Sequence, residues 1–241
     1  MKRFLYISVI LALTASCKCA SEKPMQEEQQ PAQEQVQAPL DSTAAVQAAK
    51  VLPEEPVFDI VTSLGVIKVR LFKDTPRHRN NFEKLALSGY YDSLLFHRVI
   101  PAFMIQGGDP FTRDSSKVAL YGQGGPDYTL PAEILSPSGD TLHRHVRGAL
   151  AAARRGDMAN PLRESSGSQF YLVQDPENCV HLDGAYTVFG ETVAGFNVID
   201  RIAGVKRDRY DRPLQDVRIL AIRPNEEWNK NMNSGTEFAK E

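Results

Sequence analysis

Phe96-His97-Arg98-Val99-Ile100-Pro101-Ala102-Phe103-Met104-Ile105-Gln106-Gly107-Gly108-Asp109 is the stretch on which the reading of this chain turns. Side chains alternate between the two faces of a β-strand. If Phe96 to Ile100 is one strand, Arg98 shares a face with Phe96 and Ile100. Past the break at Pro101, Gln106 shares a face with Met104. A second run, Ser168-Gln169-Phe170-Tyr171-Leu172-Val173, puts Gln169 beside Tyr171 in the same manner. An arginine and two glutamines are thus expected among large apolar side chains. A guanidinium taken out of water without a partner is costly, so Arg98 needs either an ion pair or a site open to a ligand. The spacing alone leaves both readings open.

On the N-terminal side of that stretch, Val57-Phe58-Asp59-Ile60-Val61 and Val66-Ile67-Lys68-Val69-Arg70-Leu71-Phe72 flank Thr62-Ser63-Leu64-Gly65 and read as a hairpin. Asp74-Thr75-Pro76 predicts a helix start, with a capping side chain and then proline in the first turn. Phe82, Leu85 and Ala86 recur at helical spacing, and Gly89 suits the stop. A second helix is expected near Phe196 to Ile202. The rest is mostly short apolar runs broken by Gly and Pro, which points to a β-rich domain.

Four pieces then resemble one known family when taken together and in order. They are Phe96 to Pro101, Phe103 to Asp109, Gly167-Ser168-Gln169-Phe170, and Leu182-Asp183-Gly184 through Val188-Phe189-Gly190. The resemblance is to the cyclophilin-type peptidyl-prolyl cis–trans isomerases, and it covers residues 56–223. It implies a mainly β fold: a closed eight-stranded antiparallel β-barrel capped by two α-helices. It also implies catalysis of rotation about X–Pro peptide bonds, with proline-containing polypeptides as substrates and no cofactor or metal. By the same resemblance, Arg98 is the catalytic donor, and Phe103, Met104, Tyr171 and Leu182 form a proline pocket. Gln106 orients Arg98 and contacts the peptide backbone, while Gln169, His97 and Ile100 line the groove. Ala153 and Arg154 match positions whose backbone groups hold the extended substrate.

The chain departs from the family pattern in three places. His181 stands where some members carry Trp, and Tyr186 where some carry His; both belong to the groove rim. Asp157-Met158-Ala159-Asn160-Pro161-Leu162-Arg163-Glu164 makes the loop before Gly167 longer than in compact members. The sequence leaves open whether that loop shapes the groove or decorates it.

The start of the chain reads as an address. Met1-Lys2-Arg3 is a basic head, and Phe4 to Leu13 is an apolar run of signal-peptide length. That run is too short to span a bilayer, which takes roughly 20 apolar residues. Leu13-Thr14-Ala15-Ser16-Cys17 resembles a bacterial lipobox, with Thr14 in place of the usual Leu and Cys17 as the lipidated residue. Ordinary cleavage, for instance after Ala20, is the alternative. Residues 1–20 are therefore read as a signal peptide, and the protein as exported to the periplasmic side of a bacterial membrane and lipid-anchored there. Residues 21–55, rich in Gln, Glu, Pro and Ala, cannot bury enough apolar surface to fold alone and are read as a linker. As a flexible coil it spans about 35 Å on average. Residues 224–241 form a second polar stretch, a C-terminal tail.

Composition removes other classes. A net charge of −2 over 241 residues gives no electrostatic reason to expect a nucleic-acid partner. Of the three cysteines, Cys17 and Cys19 lie at the start, so the folded part holds Cys179 alone and no disulfide framework. His143 and His145 are two apart, but no further ligand accompanies them, and they read as surface or loop residues. Ser165-Ser166-Gly167-Ser168 is not a nucleophile elbow. Gly122-Gln123-Gly124-Gly125 lacks the Lys of a phosphate loop and reads as a tight turn.

Overall fold

The computed structural model describes residues 52–233. The signal and lipidation expectations fall outside that range, as do the linker except for residues 52–55 and the end of the tail. The expected hairpin is present. Strand β1 (Val57–Thr62) pairs antiparallel with β2 (Gly65–Leu71) in a register that sets Thr62 opposite Gly65. The connection is therefore the two residues Ser63-Leu64. The Thr62 hydroxyl closes it, donating to the Gly65 carbonyl at 2.7 Å and accepting from Leu64 N–H at 3.1 Å. Gly65 sits at φ +131°, a conformation that a side chain would strain.

Helix α1 (Pro76–Leu87) buries His78, Phe82, Leu85 and Ala86 along one stripe, and Gly89 follows its end at φ +72°. The expected N-cap is not made, because the Thr75 hydroxyl donates to the Phe72 carbonyl instead. The cap comes from Glu133, whose carboxylate accepts from Arg77 N–H and His78 N–H, both at 3.0 Å. It also meets His78 Nδ1 at 2.6 Å. A carboxylate there serves the orphan amides and the helix dipole at once.

The remaining strands are β3 (Arg98–Ile100), β4 (Met104–Gly107), β5 (Thr129–Leu130), β6 (Ala149–Ala152), β7 (Ser165–Ser166), β8 (Phe170–Val173), β9 (Val188–Ala194) and β10 (Ile219–Pro224). Between the last two lies helix α2 (Phe196–Ala203), as expected. Eight strands form one curled antiparallel sheet in the order β10-β1-β2-β9-β6-β8-β4-β3, and β5 and β7 pair separately. The sheet is open, which corrects the expected closed barrel. Edge strands β3 and β10 form no ladder. The segments beside them meet at an isolated Leu95–Arg218 bridge, with Phe96 N–H bonded to the Val217 carbonyl and Ile219 N–H to that of Leu94. Strand β3 is three residues long and is cut short by Pro101, which has no N–H to donate. Its free edge is taken instead by a loop, through Val99 N–H to the Asp211 carbonyl at 2.8 Å.

Within residues 56–223 the two expected α-helices are the ones found, and a third α-helix follows them among the described residues. Helix α3 (Glu226–Asn233) occupies the start of the stretch read as a polar tail. Its buried Asn229 accepts from Val57 N–H at 2.7 Å and donates to the Val57 carbonyl at 3.0 Å, tying the helix to the first strand. Asn229→Ala is expected to cost about 1–2 kcal/mol, because it leaves the Val57 N–H buried without an acceptor. Urea unfolding of the two proteins measures it, and equal midpoints would show that α3 is dispensable.

Period-two alternation sorts the sheet into two apolar layers. Val99, Ile105, Leu150, Ala152, Phe170 and Leu172 face the main core, together with Phe82 and the inner side of α2. Their neighbours Met104, Ala149, Ala151, Tyr171, Val173 and Val188 face the other way, where Cys179 and Leu182 complete a second, smaller cluster. That second face carries the candidate site.

Candidate active site

One cross-strand row defines the site's floor. Arg98 on β3 stands opposite Gln106 on β4, Gln106 opposite Tyr171 on β8, Tyr171 opposite Ala151 on β6, and Ala151 opposite Val188 on β9. Opposed residues on one face lie about 5 Å apart. Sequence-distant polar and apolar groups are thus set side by side by register alone. Phe96 is the exception to the expected alternation. It lies in the main core, because the strand begins only at Arg98.

Above this row, Arg98, Phe103, Met104, Gln106, Ala153, Arg154, Tyr171, Leu182 and Tyr186 line a cleft of about 110 Å³. The structure therefore gathers most of the residues expected to act together. Ile100 packs beside them, and His181 is exposed at the rim with its ring stacked 6.1 Å from that of Phe103. Gln169 is buried behind Gln106 and faces a larger groove of about 770 Å³, bordered by Gly122 to Pro126 and by Ala159, Asn160 and Glu164. The long loop therefore does shape the groove. His97 stands apart: it is 5% exposed, and both its ring nitrogens are buried without a hydrogen-bond partner.

A relay of amides fixes the polar groups. The carboxylate of Asp109, fully buried, accepts from the N–H groups of Phe111, Gly122 and Gly124 and so holds the 122–124 loop. The Gly122 and Gly124 carbonyls accept from Gln169 Nε2 at 3.1 and 2.7 Å. Gln169 must then turn its Oε1 outward, where it accepts from Gln106 Nε2 at 3.0 Å. Gln106 is left presenting Oε1 to Arg98 Nη1 at 3.4 Å. On its other side Arg98 has Asp211 Oδ2 3.9 Å from Nε. The guanidinium is thus guided from two sides while its side chain stays 43% exposed and free to meet a ligand.

The apolar wall has its own anchor. His145, read from sequence as a surface or loop residue, is buried. Its Nδ1 lies 2.8 Å from Asp183 Oδ1 and its Nε2 2.8 Å from the Tyr171 hydroxyl. The carboxylate takes the Nδ1 proton, so Nε2 accepts from Tyr171. Burial lowers the His145 pKa, against the opposing pull of Asp183, which keeps the ring in that neutral form. Burial likewise raises the Tyr171 pKa well above its ordinary value. The hydroxyl is turned into the protein, and Tyr171 offers the cleft its ring. A hydrophobic slot with a fixed cation at its lip suits a small apolar ring attached to a polar, uncharged chain.

The sequence assigns His145, Asp183, Asp109 and Asp211 no role at the site. Each acts through a partner between 13 and 113 residues away, and a local pattern does not carry such pairings.

A family model described as cyclophilin type peptidyl-prolyl cis-trans isomerase/CLD matches residues 57–223. The peptidyl-prolyl cis-trans isomerase CYP18-1 of Arabidopsis thaliana is 38% identical over 162 residues, which cover 67% of this chain and 91% of that protein. The peptidyl-prolyl cis-trans isomerase-like 2 of Rhizopus delemar is 36% identical over 180 residues, covering 73% of this chain but only 31% of that longer protein. Among solved structures, a cyclophilin type peptidyl-prolyl cis-trans isomerase from Cryptosporidium parvum, crystallised in the presence of dipeptide ala-pro, has a TM-score of 0.60 and 27% identity. That match covers 70% of this chain and 99% of the other.

Proposed function

The chain belongs to the cyclophilin-type peptidyl-prolyl cis–trans isomerases, and we propose that it turns X–Pro bonds in polypeptides exported from a bacterial cell, assisting their folding from a lipid anchor on Cys17. The chemistry needs no bond to break. Amide resonance sets a barrier of about 18–20 kcal/mol to rotation, and uncatalysed exchange takes tens to hundreds of seconds. Halfway round, the prolyl nitrogen becomes pyramidal and its lone pair leaves the π system. A donor aimed at that nitrogen gains a bond that the planar ground state does not offer, which is what accelerates a reaction.

One observation carries the assignment of roles. The Arg98 guanidinium borders the slot made by Phe103, Met104, Tyr171 and Leu182, with Gln106 beside it on the neighbouring strand. A proline ring seated on Tyr171 and Met104 brings its nitrogen toward Arg98. The Ala-Pro dipeptide named with the Cryptosporidium parvum structure is a minimal probe of the same slot here.

The location half rests on the basic head, the apolar run and the lipobox-like Leu13-Thr14-Ala15-Ser16-Cys17. The test is the full chain expressed in a bacterial host with labelled palmitate, beside Cys17→Ala. Label in the membrane fraction, lost in the variant together with membrane retention, supports the anchor. Unprocessed chain in the cytosol would end the export reading while leaving the isomerase untouched. Proline-limited refolding of a secreted protein, with and without the enzyme, tests the folding role.

A further inference from the structure

Arg154 was expected to serve through its backbone alone, yet its side chain is only 4% exposed and is held by several polar contacts. Nε donates to the Ala185 carbonyl at 2.9 Å and Nη1 to that of Arg155 at 2.9 Å. Nη1 also meets Asp157 Oδ1 at 2.6 Å. The guanidinium lies 4.2 Å from the centroid of the Tyr186 ring, a cation–π contact. Asp157 belongs to the long loop, and its other oxygen meets Arg163 Nη2 at 3.4 Å, while Arg163 Nη1 donates to the Gly184 carbonyl at 3.1 Å. Asn160 closes the loop on itself, donating to the Glu164 carbonyl and accepting from Glu164 N–H. The loop therefore works as a built strap that pins Arg154 against the wall carrying Tyr186.

This pinned guanidinium lines both the proline cleft and the larger groove, so it forms the ridge between them. Its Nη2 has no hydrogen-bond partner among the described residues. Arg155, exposed on the same groove, has no ion-pair partner among them either. Asp157 is shared between two arginines, and the hydrogen bond from Arg154, ahead of the charges, holds its carboxyl below the usual range. Glu164 is engaged by the Thr129 hydroxyl at 2.6 Å. Arg154, Arg155 and Arg163 thus outnumber Asp157 and Glu164, and the ridge keeps an excess of positive charge with donors unspent.

We propose that Arg154 is a specificity-determining residue, fixed by Asp157 on the ridge between the two cavities, and that it selects X–Pro substrates bearing a carboxylate close to the isomerising bond. This rests on the isomerase assignment. A fork held in place loses little freedom when it binds, and a guanidinium matches a carboxylate better than an ammonium does.

The experiment uses three blocked peptides with one Ala-Pro core, flanked by glutamates, by lysines or by alanines. Exchange catalysed by the full chain is read by NMR as kcat/KM. The glutamate peptide is expected to exceed the lysine peptide by about five-fold at low salt, equivalent to roughly 1 kcal/mol. Raising the ionic strength shrinks that ratio. In Arg154→Gln the ratio falls toward one, and in Arg154→Lys it is intermediate, since charge stays but the fork is lost. Because the readout is a ratio within one protein, a general loss of stability does not imitate it. A wild-type ratio near one, or a ratio that survives Arg154→Gln, overturns the proposal. If the alanine peptide is not accelerated either, the isomerase assignment fails and takes this inference with it.

Discussion

Arg98→Ala is expected to lower kcat/KM for X–Pro exchange by about 10²–10³-fold, the usual loss when one donor to a transition-state charge is removed. Proline-peptide affinity should hardly move, because the slot is built from Phe103, Met104, Tyr171 and Leu182, none of which leans on the arginine for its packing. Loss of kcat with binding retained identifies an interaction made only at the top of the barrier. Arg98→Lys should recover little of the rate. Gln106 and Asp211 guide a planar fork from its two sides at 3.4 and 3.9 Å, and an ammonium has no plane to guide. Neither contact is tight, so the guanidinium can advance onto a twisted prolyl nitrogen without first breaking a strong bond. Line-shape NMR on an Ala-Pro peptide gives the rate, and chemical-shift titration gives the affinity. If Arg98→Ala weakened binding as much as it slowed exchange, Arg98 would be a ground-state anchor and the donor role would fall.

Arg98 and its row were legible in the sequence because they obey a local rule. Period two put Gln106 with Met104 and Gln169 with Tyr171, and the register of β3, β4 and β8 then joined them. What the sequence withheld is equally specific. It placed each of Arg98, Gln106 and Gln169 among apolar neighbours on its own strand. It did not show that Asp109, through a loop of glycines, fixes the amide orientation of Gln169 and Gln106 and so the oxygen that Arg98 meets. It set His145 down as a surface or loop residue because Asp183, the group that makes its burial affordable, lies 38 residues on. Helix α1 took its cap from Glu133, 55 residues beyond His78, although a capping residue stood at the expected place. The closed barrel failed for the same reason. Whether two edges meet depends on what else competes for them, and the loop around Asp211 had no signature of its own. Residue types marked out the machinery, and partners distant in sequence decided its alignment.

His97 is the group whose cost the whole domain bears, and lowering the pH should expose it. Burial, opposed by the charge of Asp109 and by the nearby Leu95 backbone and aided slightly by Arg98, pushes its pKa down to about 4. In the unfolded chain the ring titrates near its ordinary value of about 6.5. Between those two values the unfolded state holds the extra proton, so stability rises with pH across that window. Read downward, folding should lose about 3 kcal/mol as pH falls from roughly 6.5 to 4, out of a total of about 5–15 kcal/mol for an ordinary domain. His145, also lowered by burial, adds to the loss in the same direction. His97→Phe removes the larger contribution, so urea unfolding of that variant should give a much flatter profile over this window, with a remnant from His145. Two ring nitrogens buried without partners make the wild-type side chain a poor packer, and the variant should be no less stable than wild type at pH 5. An unchanged acid slope in His97→Phe would mean that water reaches the ring, and that His97 sits on the groove rather than behind it.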